Sequence, residues 1–214
     1  MTPTVFVVDD DAAVRDALVQ LLAAAGFSVR SFPSGTAFLQ ACAPDWRGCI
    51  LLDIAMPGMS GLALQEALAA RAIRLPIVFL TAHGKVPTAV QAMKAGAMEF
   101  LEKPAAGPVL LDAVRRSLAI DAERHAQDAT RVELMERVAT LTRREREVMT
   151  LAARAGSNKE IGRQLGISHR TVEIHRGRIM RKLGLATPFE LAAAATACGL
   201  VEAPAPPRSQ TERG

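Results

Sequence analysis

Tyrosine is absent from the 214-residue chain, tryptophan occurs once, and aromatic residues make up only 4%. The apolar half of the composition (50%) is therefore mostly aliphatic, and with 22% charged residues it is ordinary globular composition that excludes wholesale disorder. Cysteine is scarce: Cys42, Cys49 and Cys198 are odd in number and lack a CxxC spacing, which argues against a disulfide scaffold or a zinc site. No apolar run approaches the roughly 20 residues needed to cross a bilayer, and the longest, around Leu191–Val201, falls far short. The first residues reach three aspartates by Asp11 without a basic n-region or an apolar h-region, so no secretory signal is expected. There is no Walker-type glycine-rich loop and no kinase signature. These absences lead to the expectation of a cytoplasmic protein with no membrane partner. At roughly 150 residues per domain, the chain holds one large or two small domains.

Charge is unevenly placed. Residues 1–120 carry ten basic and ten acidic side chains, whereas residues 121–214 carry sixteen and twelve and supply the whole net charge of +4. Within Val138–Ala186 the balance is eleven basic to four acidic. A neutral first half joined to a basic second half reads either as two domains, the second facing a polyanion, or as a helical domain with a solvated basic face.

Short β-branched or apolar runs at Thr4–Val8, Phe27–Phe32, Cys49–Leu52, Ile77–Leu80 and Met98–Leu101 alternate with helical segments. One such segment carries Val14, Ala17, Leu18, Leu21, Leu22 and Ala25 at helical spacing. Five strands alternating with helices predict βαβ units and a doubly wound, flavodoxin-like five-stranded parallel sheet over residues 1–120, in the order 2-1-3-4-5. Residues 121–137 are polar and free of Gly and Pro, and read as an extension of the fifth helix or a helical linker. Residues 138–202 show no strand signal. Three S/T-x-x-E capping boxes (Thr142 with Glu145, Ser157 with Glu160, Thr187 with Glu190) and a further start after Ser168 predict four short helices, a small all-α domain. Residues 203–214 are expected to be a disordered tail.

In open parallel sheets, ligands bind beyond the carboxyl ends of the strands where strand order reverses. Asp9, Asp10 and Asp11 end the first predicted strand, Asp53 the third, Thr81 the fourth and Lys103 the fifth. Singly, each has an ordinary explanation, such as helix capping for Asp10 or Asp11. Jointly they assemble carboxylates that a hard divalent cation would relieve, a carboxylate nucleophile, and a hydroxyl and an ammonium suited to phosphoryl oxygens. That set fits phosphorylation of an aspartate.

The stretches Val7-Val8-Asp9-Asp10-Asp11, Asp53-Ile54-Ala55-Met56-Pro57-Gly58-Met59-Ser60-Gly61, Thr81-Ala82-His83-Gly84 and Lys103-Pro104 resemble the receiver domain of two-component response regulators. Ala92–Pro104 is similar to the FixJ-type branch. The resemblance implies that Asp53 accepts a phosphoryl group from a sensor histidine kinase. It further implies that Asp9, Asp10, Asp53 and the backbone carbonyl of Ala55 hold Mg²⁺, and that Thr81 and Lys103 engage phosphoryl oxygens. Phe100 would move inward with Thr81, and the bond matching Lys103–Pro104 is often cis in this family. Phosphorylation is then expected to promote a homodimer through Val86–Ala95 and Met98–Leu101. Two positions depart from the usual pattern: Asp11 stands where Glu is more common, and Ala55 where larger side chains are frequent.

In the basic half, Ser157–Leu165, a turn at Gly166-Ile167 and Ser168–Leu183 form a predicted helix-turn-helix. Val172, Ile179 and Leu183 supply the inward face of its second helix, helped by Ile161 and Leu165. Leu141–Val148, Asn158–Ile161, Ser168–Arg176 and Lys182-Leu183-Gly184 closely resemble the LuxR-type DNA-binding domain, which implies binding of double-stranded promoter DNA as a dimer, with RNA polymerase as a further partner. Lys159, His169, Arg170, Thr171, Glu173, His175, Arg176, Arg178 and Lys182 are the candidate DNA contacts.

Two other classes fit less well. A haloacid-dehalogenase-like phosphatase would need a threonine where Ala13 stands and a late acidic pair that is missing after Lys103. A regulator whose α/β domain senses a small molecule would not require the carboxylate cluster. The chain therefore reads as a phosphorylation-controlled transcription factor, not an enzyme.

Overall fold

The computed structural model describes residues 2–82, 86–154 and 156–201. His83 and Gly84 of the fourth-strand motif, Glu202 and the 203–214 tail lie outside them. The chain divides into two compact units, residues 1–125 and 126–214.

The first unit alternates β1 (Thr4–Val8), α1 (Ala12–Ala24), β2 (Ser28–Phe32), α2 (Gly35–Ala41), β3 (Gly48–Leu52), α3 (Gly61–Ala70), β4 (Ile77–Thr81), α4 (Val86–Lys94), β5 (Glu99–Glu102) and the start of α5 (Gly107–Ala139). The strands form one parallel sheet in the order β2-β1-β3-β4-β5. The doubly wound sheet anticipated from the alternation is observed, in the expected flavodoxin-like order.

A strand exposes successive side chains to opposite faces, and a parallel sheet buried on both sides therefore needs uninterrupted apolar runs. Phe6 and Val8, Ile50 and Leu52, and Ile77 and Phe79 pack with Phe38, Leu64, Leu68 and Ala92 of α2, α3 and α4. Val5 and Val7, Cys49 and Leu51, and Val78 and Leu80 pack on the other face with Leu18, Leu22, Leu110, Ala113 and Val114 of α1 and α5. The few aromatic residues are concentrated in the first of these layers. Phe6 stacks on Trp46 at 4.6 Å, and Phe38 meets both edge-on.

Strand boundaries follow the hydrogen-bond ladder more than hydropathy. β5 runs Glu99–Glu102, one residue later than its apolar run, because its pairing with β4 starts at Val78 and Glu99. β4 extends through Thr81, opposite Glu102. Helix α5 continues unbroken through the polar stretch 121–137. Within the first unit it is tied to the start of β3: buried Asp121 accepts from Arg47 Nε and from the Gly48 N–H, both at 3.1 Å.

The second unit takes Leu134 and Val138 from the end of α5 and adds α6 (Arg143–Ala153), α7 (Asn158–Leu165), α8 (His169–Leu183) and α9 (Pro188–Ala197). Thr142 and Ser157 close full capping boxes with Glu145 and Glu160. At α9 the box is altered: Thr187 caps the Glu190 N–H, but the Glu190 carboxylate reaches one residue further back, to the Ala186 N–H at 2.8 Å. Gly166 ends α7 at φ 67°, the left-handed conformation that glycine adopts without a Cβ penalty. Val148, Met149, Ile161, Val172, Ile179, Leu183 and Leu191 fill the core.

Gly61 fixes the approach of α3 to the end of β3. Its N–H donates to Ile54 O at 3.0 Å, and a Cβ on it would lie 2.3 Å from the Asp53 carbonyl oxygen. Gly61→Ala should therefore destabilise the first unit by roughly 1–3 kcal/mol, the usual cost of overpacking against an immobile backbone. Urea unfolding followed by Trp46 fluorescence checks this.

Candidate functional site

The carboxyl edge of the sheet gathers the strand-end residues. The ladder places them: the Asp53 N–H donates to Val8 O at 2.9 Å, and the Lys103 N–H to Thr81 O at 2.8 Å. Asp9, Asp53 and Thr81 are buried, whereas Asp10 and Asp11 are exposed. Lys103 Nζ lies 2.6 Å from Asp9 Oδ2 and 2.9 Å from Asp53 Oδ1. The remaining oxygens serve the backbone: Asp9 Oδ1 accepts the Asp11 N–H at 3.0 Å, and Asp53 Oδ2 the Ala55 N–H at 2.9 Å. Asp11 caps α1 through the Ala13 and Val14 N–H groups. The Lys103–Pro104 peptide is cis.

Burial works against the Lys103 ammonium, but its hydrogen bonds to Asp9 and Asp53 and their negative charges outweigh burial and hold its pKa above the ordinary lysine value. The lysine is therefore a fixed positive charge shared by two carboxylates. Phe100, on β5, is half-buried with its ring 6.3 Å from that of Phe79. Ala55, two residues after Asp53, is exposed.

Among the described residues, no three acidic, His or Cys side chains are gathered closely enough to cage a metal by themselves. The donors that are present still suit Mg²⁺. They are hard carboxylate oxygens, and two buried carboxylates against one ammonium leave negative charge uncompensated; Mg²⁺ binds through one or two carboxylates and keeps several waters.

In the second unit, α7 and α8 form a helix-turn-helix. Lys159, His169, Arg170, Glu173 and Arg178 are exposed. Thr171 is half-buried and bonded to the N-cap, its Oγ1 2.8 Å from Ser168 Oγ. His175 and Arg176 are turned partly inward. Arg176 Nη1 donates to Asn158 Oδ1 at 2.8 Å, joining α8 to α7, and His175 Nδ1 is buried with no hydrogen-bond partner among the described residues. Lys182 is engaged by the fold: its ammonium lies 2.7 Å from Glu145 Oε2. Sequence reasoning passed over Ile174, which is 51% exposed on the same outward face as Arg170, Glu173 and Arg178. Its signal was an isoleucine outside the Val172–Ile179–Leu183 inward set.

Residues 5–115 match the family model described as the response regulator receiver domain, and residues 139–195 match that of the bacterial regulatory proteins, luxR family. The chain is 44% identical over 199 residues to the transcriptional regulatory protein FixJ of Azorhizobium caulinodans, covering 93% of this chain and 94% of that one. The chain belongs to the response regulator family. It is a two-component response regulator with a LuxR-type DNA-binding domain, a transcriptional regulator and not an enzyme. The transcriptional regulatory protein TdiR of Thauera aromatica is 45% identical over 188 residues, covering 88% of this chain and 83% of its own. Among solved structures, the response regulator StyR superposes with a TM-score of 0.77 at 46% identity, covering 91% of this chain and 98% of its own. Full-length FixJ from B. japonicum gives 0.56 at 38% identity, covering 94% and 100%. The receiver domain implies a histidine kinase partner and a Mg²⁺-binding acidic site, and the LuxR-type domain implies DNA. Among the described residues, no helix is long and apolar enough to cross a membrane.

Glu145 underpins the response regulator's helical unit. The hydrogen bond from Lys182 is the largest influence on this buried carboxyl and, with the Thr142 N–H and hydroxyl, it overrides desolvation and brings the pKa down to about 2 from 4.5. A folded-state pKa below the unfolded one stabilises the fold above the unfolded pKa and ceases to do so as protons bind. The unit should therefore lose stability as pH falls from about 4.5 towards 2, and Glu145→Gln should make this loss shallower, Glu147 and Glu160 keeping their own smaller shares. Melts of the full chain followed through the methyl resonances of Val172 and Ile179 test it.

Proposed function

We propose that Asp53 receives a phosphoryl group from a sensor histidine kinase in the cytoplasm, and that this charge change drives dimerisation and promoter binding. One observation carries the reading: a single ammonium, Lys103, bridges buried Asp9 and Asp53 where the strand order reverses. An oxygen of the Asp53 carboxylate bonds to phosphorus as the bond from phosphorus to the kinase histidine nitrogen breaks, its electron pair staying on the imidazole. Lys103 and the Thr81 hydroxyl then hold phosphoryl oxygens. Asp9, Asp10, Asp53 and the Ala55 carbonyl would hold Mg²⁺, which supplies neutralisation of the phosphoryl charge when bound.

The dimer surface follows from α4. Val86, Val90 and Met93, at i, i+4 and i+7, are 75%, 46% and 46% exposed, an apolar stripe left uncovered among the described residues of the first unit. Phe100 lies on the adjoining strand, so a shift of Thr81 towards the phosphoryl group would be felt at this face.

DNA would be read by α8. Arg170, Glu173, Ile174 and Arg178 offer charge to phosphates, an acceptor to cytosine N4 and an apolar group to a thymine methyl. His169 and Lys159 lie at helix starts suited to backbone contacts. Thr171, His175 and Arg176 act first through the packing of α8, and Lys182 through Glu145. RNA polymerase is the partner that a promoter-bound regulator would engage.

Asp53→Asn should abolish the phosphoryl adduct formed with acetyl phosphate, because an amide is not a competent nucleophile. Mass spectrometry decides this, and an adduct persisting in the variant would place the acceptor elsewhere. On a duplex selected from a random pool, Arg178→Ala should weaken binding to selected and scrambled sequences alike, lowering the salt slope by about one phosphate contact. Glu173→Ala should instead cost about 1–3 kcal/mol on the selected duplex alone. Titrations at several salt concentrations separate the two.

A further inference from the structure

Arg15 lies on α1, six residues beyond Asp9, and no strand-end pattern draws attention to it. Its Nη1 donates to the backbone carbonyls of both Asp9, at 2.8 Å, and Asp10, at 2.9 Å. Those carbonyls belong to the two peptide planes that flank the Asp10 Cα. Each peptide is planar, so tethering both to one nitrogen restrains φ and ψ at Asp10 and thereby the direction of its Cα–Cβ bond. Asp9 has other anchors, since its carboxylate is held by Lys103 and by the Asp11 N–H. Asp10 is exposed and depends on its backbone for direction. The placement of the arginine is also unfavourable by itself: a cation in the first turns of a helix opposes the positive end of the helix dipole.

We infer that Arg15 is a positioning residue for the divalent cation: by clamping the Asp9 and Asp10 carbonyls it sets the backbone from which the Asp10 carboxylate would reach a cation held by Asp9 and Asp53. This rests on the acceptor reading of Asp53 and adds a residue to it. Electrostatics alone makes the opposite prediction, because removing a nearby positive charge should tighten cation binding. The sign of the effect therefore separates a positioning role from a mere charge.

The experiment titrates Mn²⁺, detected by its paramagnetic resonance, into the full-length protein and into Arg15→Gln, Asp10→Asn and the double variant. Arg15→Gln should weaken Mn²⁺ binding several-fold. In acetyl phosphate labelling it should raise the half-saturating Mg²⁺ concentration by a similar factor, with the rate at saturating Mg²⁺ unchanged. In the Asp10→Asn background the further loss should vanish, since Arg15 acts through Asp10. Tighter or unchanged Mn²⁺ binding in Arg15→Gln would overturn the inference, as would losses that add in the double variant. A metal-free melting curve matching that of the unsubstituted protein assigns the loss to the site, whereas a lowered one accounting for all of it would sink the positioning role. Failure of the unsubstituted protein to bind Mn²⁺ or to be labelled would instead reject the acceptor reading itself.

Discussion

Two carboxylates buried within reach of one ammonium form an arrangement the rest of the receiver must hold in place. Asp9 and Asp53 would repel each other in a medium of low polarity, and Lys103 offsets that repulsion only while the ends of β1, β3 and β5 stay in register. The register is enforced from below by the two apolar layers, because a slip of one residue would send every side chain of a strand to the opposite face. The core thus supports the chemistry by fixing where three strands end.

The same requirement explains the close backbone contacts around the site. Gly61 lets α3 start directly against the Asp53 carbonyl, and Asp11 caps α1 so that the loop carrying Asp9 and Asp10 cannot drift. Asp10 and Ala55, which flank the buried Asp9 and Asp53 in the chain, are exposed to solvent. The helical unit follows a parallel logic with one buried carboxylate. Glu145 closes the capping box of α6 and receives Lys182 of α8, so a helix start and the second helix of the helix-turn-helix share one charged anchor.

The candidate DNA contacts illustrate how side chains divide between fold and function. Composition marks all the basic residues of α8 alike. Packing separates them: Arg170 and Arg178 face outward, Arg176 bonds to Asn158, and Lys182 pairs with Glu145. Ile174 belongs to the outward group in spite of its hydropathy, because its position on the helix, between inward Val172 and Ile179, leaves it no core to enter.

The alternation of strands and helices, the helix-turn-helix, the helix starts at Thr142 and Ser157, and the residues that end the strands are legible in the chain alone. These are local or periodic signals: runs that suit a sheet buried on both faces, capping residues at fixed offsets, and acids where an apolar run stops. Which of those groups meet, and the order in which the strands pair, are set by packing between distant segments. The ion pairs from Lys103 to Asp9 and Asp53 span 94 and 50 positions, and the pair from Lys182 to Glu145 spans 37. The reach of Arg15 over the Asp9 and Asp10 carbonyls is short in sequence yet carries no residue pattern, since any backbone offers the same acceptors. A long side chain can serve solvent, a neighbouring helix or a buried charge equally well, and only the packing around it selects among them.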